Sequence, residues 1–457
     1  MEGGSSTGRS RAPRGPYGAY RGKREKKPDA TLVHVGPGTP CGEYLRRFWQ
    51  PVCLSSHLKE LPKRLRIMGE DLIAFRDGQG RVGVMDLHCC HRGTSLEFGK
   101  IQERGIRCCY HGWHFDIDGR VLEAPGEPKG TPIPGRIWQG AYPVREYRGL
   151  VFVYMGPPDD VPAFPIYDAF EREDADCALR YWTSPCNWLQ MRENEMDPAH
   201  LTFLHTRVFG MQFTPVYGEL ASMEFKETTH GMVYVTVRRW KENLYLRVSE
   251  MIMPNISRIS GIEDAEDETV FDRRGGALNW TVPIDDTNTL SIGMGDIDKN
   301  LAIDGLDAYR DRQVRAGGYT VGAGDVGQTG EPSYAQRQRA PGDWDTWVSQ
   351  GKITAHSHEN LGFTDQGIVL YRKLVKRGIE DHLKGRPLKA RLIAAPNAPI
   401  ATYANNTVLR VPRAATPEAE EALKLAFGRQ VMEAVFDGRL PKRHLGAERP
   451  GDFAFKP

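Results

Sequence analysis

No stretch of this 457-residue chain approaches the roughly 20 consecutive apolar residues that a membrane helix requires, so no membrane role is expected. Residues 1–27 lack the apolar segment of a secretory signal, and eight scattered cysteines are too few for a disulfide scaffold. Both features fit a reducing cytoplasm. The chain also lacks a strong excess of either charge, with 61 Lys/Arg against 59 Asp/Glu. That balance hides an asymmetry. Residues 1–27 hold eight basic residues against two Glu, so in a chain of net charge +2 the remainder is acidic by four. Residues 1–30, rich in Gly, Ser, Arg and Lys, are expected to form a disordered basic tail; a solubilising extension suffices to explain it, and no nucleic-acid binding is read from it. No internal repeat is present.

What is there is enough for two full cores, at 40% hydrophobic and 26% charged residues. A short helix is expected over about residues 41–49, followed by alternating strands and hairpins that close an all-β unit at GLVFVYMG, residues 149–156. The Pro-rich stretch GPPDDVPAFPIYD then marks a boundary, which divides the chain into residues 31–157 and 158–457. Beyond it, GMVYVTVRRW, NLYLRVSEMIMP and ALNWTVPIDDTNTLSIGMGDI predict one large antiparallel sheet. Residues 315–343, Gly-rich and poor in apolar residues, read as a long loop able to serve as a lid or an interface. Helices are expected over about 364–383 and from the Thr416-Pro417 cap to Asp437-Gly438. The fold class is α+β.

The first chemical signal is Cys89-x-His91, sixteen intervening residues, and Cys108-x-x-His111. Each loop offers one thiolate and one imidazole, the mixed set that a Rieske-type [2Fe-2S] centre needs, with two cysteines on one iron and two histidines on the other. A single structural zinc prefers short Cys pairs and His pairs, and a disulfide reading has no support from secretion. Cys90 and Cys109, adjacent to the ligands, read as structural.

The second signal is NWLQMRENEMDPAHLTFLH, which offers His200 and His205. Two histidines and one carboxylate with open positions make the facial set of non-haem iron(II) oxygenases. In a regular helix residues i and i+5 point about 140° apart, so convergence on one metal predicts a π-bulge or break between Pro198 and His205. Taken alone, two histidines at this spacing are more often core or surface residues; beside an electron relay they are its natural recipient.

His91-Arg92-Gly93, Tyr110-His111-Gly112-Trp113 and the Asp118-Gly119 turn resemble the ligand loops of Rieske ring-hydroxylating oxygenases. Cys90 and Cys109 stand where that family commonly has proline. Asn187-Trp188, Glu193-Asn194, Asp197-Pro198, His200 and Phe203-Leu204-His205 resemble its mononuclear-iron motif. VGPGTP…RRFWQPV, the Asp285-Asp286-Thr287 turn and the PGDW…EN…TDQG block resemble its phthalate 4,5-dioxygenase-like group, which includes aryl-ether demethylases. The resemblance implies an all-β Rieske domain and a helix-grip (START-like) catalytic domain with flanking helices. It implies cluster ligands Cys89, His91, Cys108 and His111, iron ligands His200, His205 and Asp365, with Glu359 as the competing carboxylate, and Asp197 as the bridging carboxylate between the centres. It further implies a cytoplasmic Rieske dioxygenase or monooxygenase, a homotrimer or hexamer in which His111 of one subunit hands electrons to Asp197 of the next, a separate NAD(P)H-dependent reductase, O2, and a carboxylated or methoxylated aromatic substrate. Arg207 and Arg247 are candidates for binding a substrate carboxylate. Dihydroxylation and O-demethylation use the same residues, so both stay open. So do two non-oxygenase readings: an electron-transfer protein with an inactive second domain, and a zinc-stabilised binding module.

Overall fold

Alternation along the strands decides which surface of the large sheet is greasy and which is polar. In Gly231–Trp240 the valines 233, 235 and 237 point one way, and Tyr234, Thr236 and Arg238 the other. The register carries the same split into Asn243–Ile252, where Leu244, Leu246 and Val248 share the valine face and Tyr245, Arg247 and Ser249 the polar one. A computed structural model of the chain describes residues 26–171, 177–266, 269–270, 276–296, 330 and 332–437, with Pro16, Tyr17 and Ala19. The basic tail up to residue 25, apart from those three, and residues 315–329 of the Gly-rich stretch therefore lie outside the described residues.

The nine-stranded antiparallel sheet runs Cys177–Ser184, Asn288–Asp296, Ala277–Asp285, Ile256–Ile259, Asn243–Ile252, Gly231–Trp240 and Ser222–Glu227. Asn405–Arg410 pairs the first half of Asn243–Ile252 and also Thr269–Val270. The C-terminal helix Pro417–Phe436, capped by Thr416, packs Phe427, Val431, Met432 and Val435 on the valine face. Burying each such side chain contributes about 1.5–3 kcal/mol. A sheet that fills its opposite, equally buried face with Arg, Tyr, Ser and Asn gives up stability of that order, which marks the face as a site.

The N-terminal half holds three small antiparallel sheets. Lys63–Ile67, Glu70–Arg76, Val82–Asp86 and Ala141–Tyr142 form one. Lys100–Ile101, Ile106–Arg107, His114–Phe115 and Val121–Glu123 form another. Met68 and Gly69, both with positive φ, make the two-residue turn that strand twist favours. The third sheet, Trp49–Leu54, Leu150–Tyr154 and Val144–Tyr147, joins the halves: Phe152 meets Trp280 edge to face at 5.5 Å, within one continuous core running from Leu32 to Ile379.

Several expectations shift in detail. The first helix is shorter, Pro40–Leu45, because Trp49 already opens a strand. The loop expected over residues 315–343 ends early: Ser333 and Gln336 form a capping box that starts helix Tyr334–Arg339, and Asp343–Ser349 follows. Helix Gln366–Leu383 follows one 3₁₀ turn over Phe363–Asp365.

Candidate active site and cluster-binding loops

The two Cys/His loops stand side by side at one end of the N-terminal half. The first follows strand Val82–Asp86, and the second links Ile106–Arg107 to His114–Phe115. Each turns back on its own cysteine: Cys89 N–H donates to Thr94 O at 2.9 Å, and Cys108 N–H to Trp113 O at 2.8 Å. Cys89 and Cys108 lie in a small apolar core with Leu87, Leu96, Trp113 and Phe115, whereas Cys90 and Cys109 point outward. The His91 and His111 rings meet at the outer rim, 4.6 Å apart, and Trp113 stacks flat against His91 at 4.6 Å. Two inner sulfurs and two outer imidazoles are the donor arrangement of a [2Fe-2S] cluster with one wet iron. Burial, with Cys108 close by, pushes the Cys89 thiol up to about 12. A cationic metal reverses that preference, because it binds the thiolate. Gln139, unremarked in the sequence, clamps the first loop: it accepts from Cys90 N–H at 2.7 Å and donates to Asp86 O and His88 O at 2.9 and 3.0 Å.

The second centre sits on the segment after helix Trp188–Glu195, which Asn187 caps. Asn187 Nδ2 donates to Val33 O at 2.9 Å and Trp188 Nε1 to Leu32 O at 3.1 Å, and Asp286 in turn accepts from Val35 N–H at 2.9 Å. Residues 32–35, leading into VGPGTP, and the Asp285-Asp286-Thr287 turn, whose Asp286 O accepts from Asn187 Nδ2 at 2.7 Å, thus lock the start of the iron motif. Helix His200–Thr202 then widens into a π-helix over Phe203–Arg207, closed by Val208 N–H to Phe203 O at 3.0 Å. This is the register change that a five-residue spacing needs.

Through it, His200 and His205 converge on a carboxylate, and that carboxylate is Asp343. The ligand atoms of the three lie within 4.8 Å of one another. His200 Nε2 is 3.5 Å and His205 Nε2 3.2 Å from Asp343 Oδ1. Each Nδ1 is already occupied, His200 by Asp197 O and His205 by Gln212 Oε1 at 2.8 Å, so both rings present Nε2 inward. Asn194 Nδ2 donates to Asp343 Oδ1 at 3.2 Å. Burial pushes the His200 ring toward the neutral form. It acts the same way on His205, where Asp343 outweighs it and the net shift is upward. Two neutral-capable Nε2 atoms and one carboxylate, buried and convergent, fit a divalent iron.

Asp365 is elsewhere. Its carboxylate accepts from Gly362 N–H at 2.5 Å and caps the turn entering helix Gln366–Leu383, so it is not in this group. Glu359, the competing candidate, is held by Arg372, whose Nη2 is 2.7 Å from both Glu359 and Glu193. The signal for Asp343 lay in the PGDW block: an aspartate behind Pro-Gly at a helix start, brought under the histidines by helix Asp343–Ser349. Asp197 Oδ1 accepts from Ala199 N–H at 3.0 Å, and its Oδ2 lies 4.0 Å from His200 Nδ1.

From His205 the site extends along aromatics to the polar face of the sheet. Phe213 stacks on His205 at 4.3 Å and meets Tyr217 at 5.5 Å. The guanidinium carbons of Arg238 and Arg247 stand 5.0 and 5.8 Å from the Tyr217 ring. Arg247 donates to Ser260 Oγ and O at 3.2 and 2.8 Å; Arg238 donates to Glu219 O and Thr236 Oγ1, both at 3.1 Å, and its Nη2 is buried without an acceptor. Arg207, by contrast, is exposed and donates to Gly218 O.

Comparisons with known proteins agree with this layout. A family model described as Rieske [2Fe-2S] domain matches residues 48–148, and one described as vanillate O-demethylase oxygenase C-terminal domain matches residues 184–288. The chain is 38% identical to the tert-butanol monooxygenase / tert-amyl alcohol desaturase oxygenase subunit of Aquincola tertiaricarbonis, over 85% of this chain and 84% of that one. It is 37% identical to the phenoxybenzoate dioxygenase subunit alpha of Ectopseudomonas oleovorans, over 77% and 85%. Among solved structures, NdmA of Pseudomonas putida CBB5 (QL mutant, with caffeine) superposes with a TM-score of 0.56 over 78% of this chain and 99% of that one; at 20% identity this shows the fold alone.

Proposed function

This chain belongs to the Rieske non-haem iron oxygenases, and from that premise we propose that it hydroxylates an aromatic acid with electrons from a separate NAD(P)H-dependent reductase. Bound in the two sites, the [2Fe-2S] cluster relays single electrons and the mononuclear iron activates O2. Cys89, His91, Cys108 and His111 hold the first group; His200, His205 and Asp343 hold the second. Gln212 and the Asp197 carbonyl fix the imidazoles, and Asn194 orients Asp343. Phe213, Tyr217 and Tyr245 form an apolar aromatic cluster beside His205, of the kind that suits a flat aromatic ring.

The observation that carries the substrate reading is the buried pair Arg238 and Arg247. Arg238 is fully buried and donates to one carbonyl and one hydroxyl, while its Nη2 has no acceptor. A buried cation is costly until an anion pairs with it, and a carboxylate accepts a guanidinium in two parallel bonds. The rim of half-buried His91 and His111 with exposed Tyr110, and the Asp197 carboxylate beside His200, support electron transfer between neighbouring subunits of a homotrimer.

The test is O2 consumption with a surrogate reductase over phthalates, benzoates, neutral methoxylated aromatics and tert-butanol. Turnover confined to the acids, with KM raised at least tenfold in R247Q, is expected; turnover of only neutral or aliphatic compounds refutes the acid reading. The match of residues 184–288 to an O-demethylase domain favours a second reading, O-demethylation. Formaldehyde as product selects it, and a cis-dihydrodiol selects dihydroxylation.

A further inference from the structure

The polar face of the sheet continues past the arginines toward the metal group. Ser257 pairs across from both Met251 and Asn279, and Thr281 from Ser291, which places these side chains on the face that carries Tyr234 and Arg247. All four polar side chains are buried. Glu195, the last residue of helix Trp188–Glu195, points onto them. Ser257 Oγ donates to Glu195 Oε1 at 3.3 Å, and Arg192 Nη1, from one turn back, stands 2.5 Å from Glu195 Oε2. Arg192 is wholly buried, yet 24% of the Glu195 side chain remains accessible. Glu195 is therefore the solvent-accessible member of the pair. Its neighbour Asn194 holds Asp343, so this is the metal end of the site.

The group holds buried acceptors that no donor reaches in good geometry, beside one buried donor, Arg192 Nε, that has no acceptor. Asn279 spends its Nδ2 on Ser291 Oγ at 2.7 Å, leaving Oδ1 buried with no donor, and Glu195 Oε2 has no hydrogen bond of good geometry although Arg192 is near. Buried acceptors in folded proteins are nearly always satisfied, by protein, water or ligand. We propose that Glu195 and Asn279 form an acceptor subsite that binds a hydroxyl donor on the substrate, resting on the reading of this polar face of the sheet as the substrate site. Arg238 and Arg247 make the far pole cationic, whereas at the near pole Arg192 balances the Glu195 carboxylate and leaves no net charge to draw an anion. The two poles thus admit a hydroxylated aromatic acid in one orientation, with its hydroxyl toward the metal end.

The test is calorimetric binding to the oxidised, metal-loaded full chain without reductase, using 3-hydroxybenzoate, benzoate and 3-hydroxybenzyl alcohol. Wild type is expected to bind 3-hydroxybenzoate at least tenfold tighter than benzoate, because a site built around a hydroxyl discriminates strongly against its absence. In Glu195→Leu that preference falls to within twofold. Glu195→Gln, which keeps an acceptor and the shape, retains part of it and covers the case in which the leucine variant does not fold. A wild-type preference under twofold, an unchanged preference in both variants, or no binding of either hydroxylated probe overturns the proposal. Equal binding of 3-hydroxybenzoate and 3-hydroxybenzyl alcohol would instead refute the arginine-anchored acid reading and leave the Glu195 subsite standing.

Discussion

Two aspartates separate what a motif suggests from what a fold delivers. Asp343 shares its Oδ1 among His200, His205 and Asn194, whereas Asp365 is spent on the Gly362 N–H. Asp343→Ala should therefore strip the mononuclear iron while leaving the cluster's EPR signal intact. Asp365→Ala should keep both metals and lower stability by about 1 kcal/mol, the usual worth of a helix cap. Metal analysis of the purified variants checks both, and iron loss in the second variant alone would return the ligand role to Asp365. Glu250 offers a pH handle. Burial pushes its carboxyl up to about 8 from an ordinary 4.5, against the Tyr403 N–H and Arg258 that favour the charged form. A raised carboxyl stabilises the fold fully below 4.5 and loses that contribution as pH rises toward 8, at up to about 1.4 kcal/mol per pH unit. Melting temperature should fall between pH 5 and 8 in wild type, and Glu250→Gln should flatten that slope.

At the scale of elements, the π-helix over Phe203–Arg207 is what turns a five-residue spacing into a common focus. Deleting Thr206 should let the segment relax to α pitch, swinging the residues beyond the deletion by about 100° and disturbing the Gln212 bond that fixes His205. Helix content by circular dichroism stays near wild type while bound mononuclear iron drops severalfold. Retained iron would show that the widened turn is dispensable. The sheet supplies the complementary device: period-two alternation puts valines under the C-terminal helix and the arginines, serines and Asn279 on the opposite face. One extra residue in Gly231–Trp240 would exchange those faces.

For the whole molecule, His91 and His111 stand on loops of the N-terminal half and the Asp197–His200 pair on the segment after helix Trp188–Glu195, and the proposed route between them crosses a subunit boundary. Co-expression provides the measurement. A His111→Ala chain without a working cluster and an Asp197→Asn chain without the bridge should each be inactive alone, yet mixed oligomers should recover a measurable fraction of wild-type turnover. Mixtures no more active than the separate variants would rule out transfer between subunits.

The sequence alone determined the chemistry's vocabulary. Mixed Cys/His loops, paired histidines five residues apart and period-two strands are local patterns, and local patterns survive without knowledge of what folds against them. The π-turn was legible for the same reason, since helical pitch is a property of consecutive residues. Tertiary structure decided the rest. Asp343 is 138 residues from His205, Gln139 is 49 from Cys90, and Glu195 meets Ser257 across 62. No spacing rule relates such residues; only the packing of helix Asp343–Ser349 under the iron motif, and of helix Trp188–Glu195 against the sheet's polar face, brings them together. A carboxylate at the start of a helix reads identically whether it caps or ligates, and what separates Asp343 from Asp365 is which of them the fold carries to the histidines.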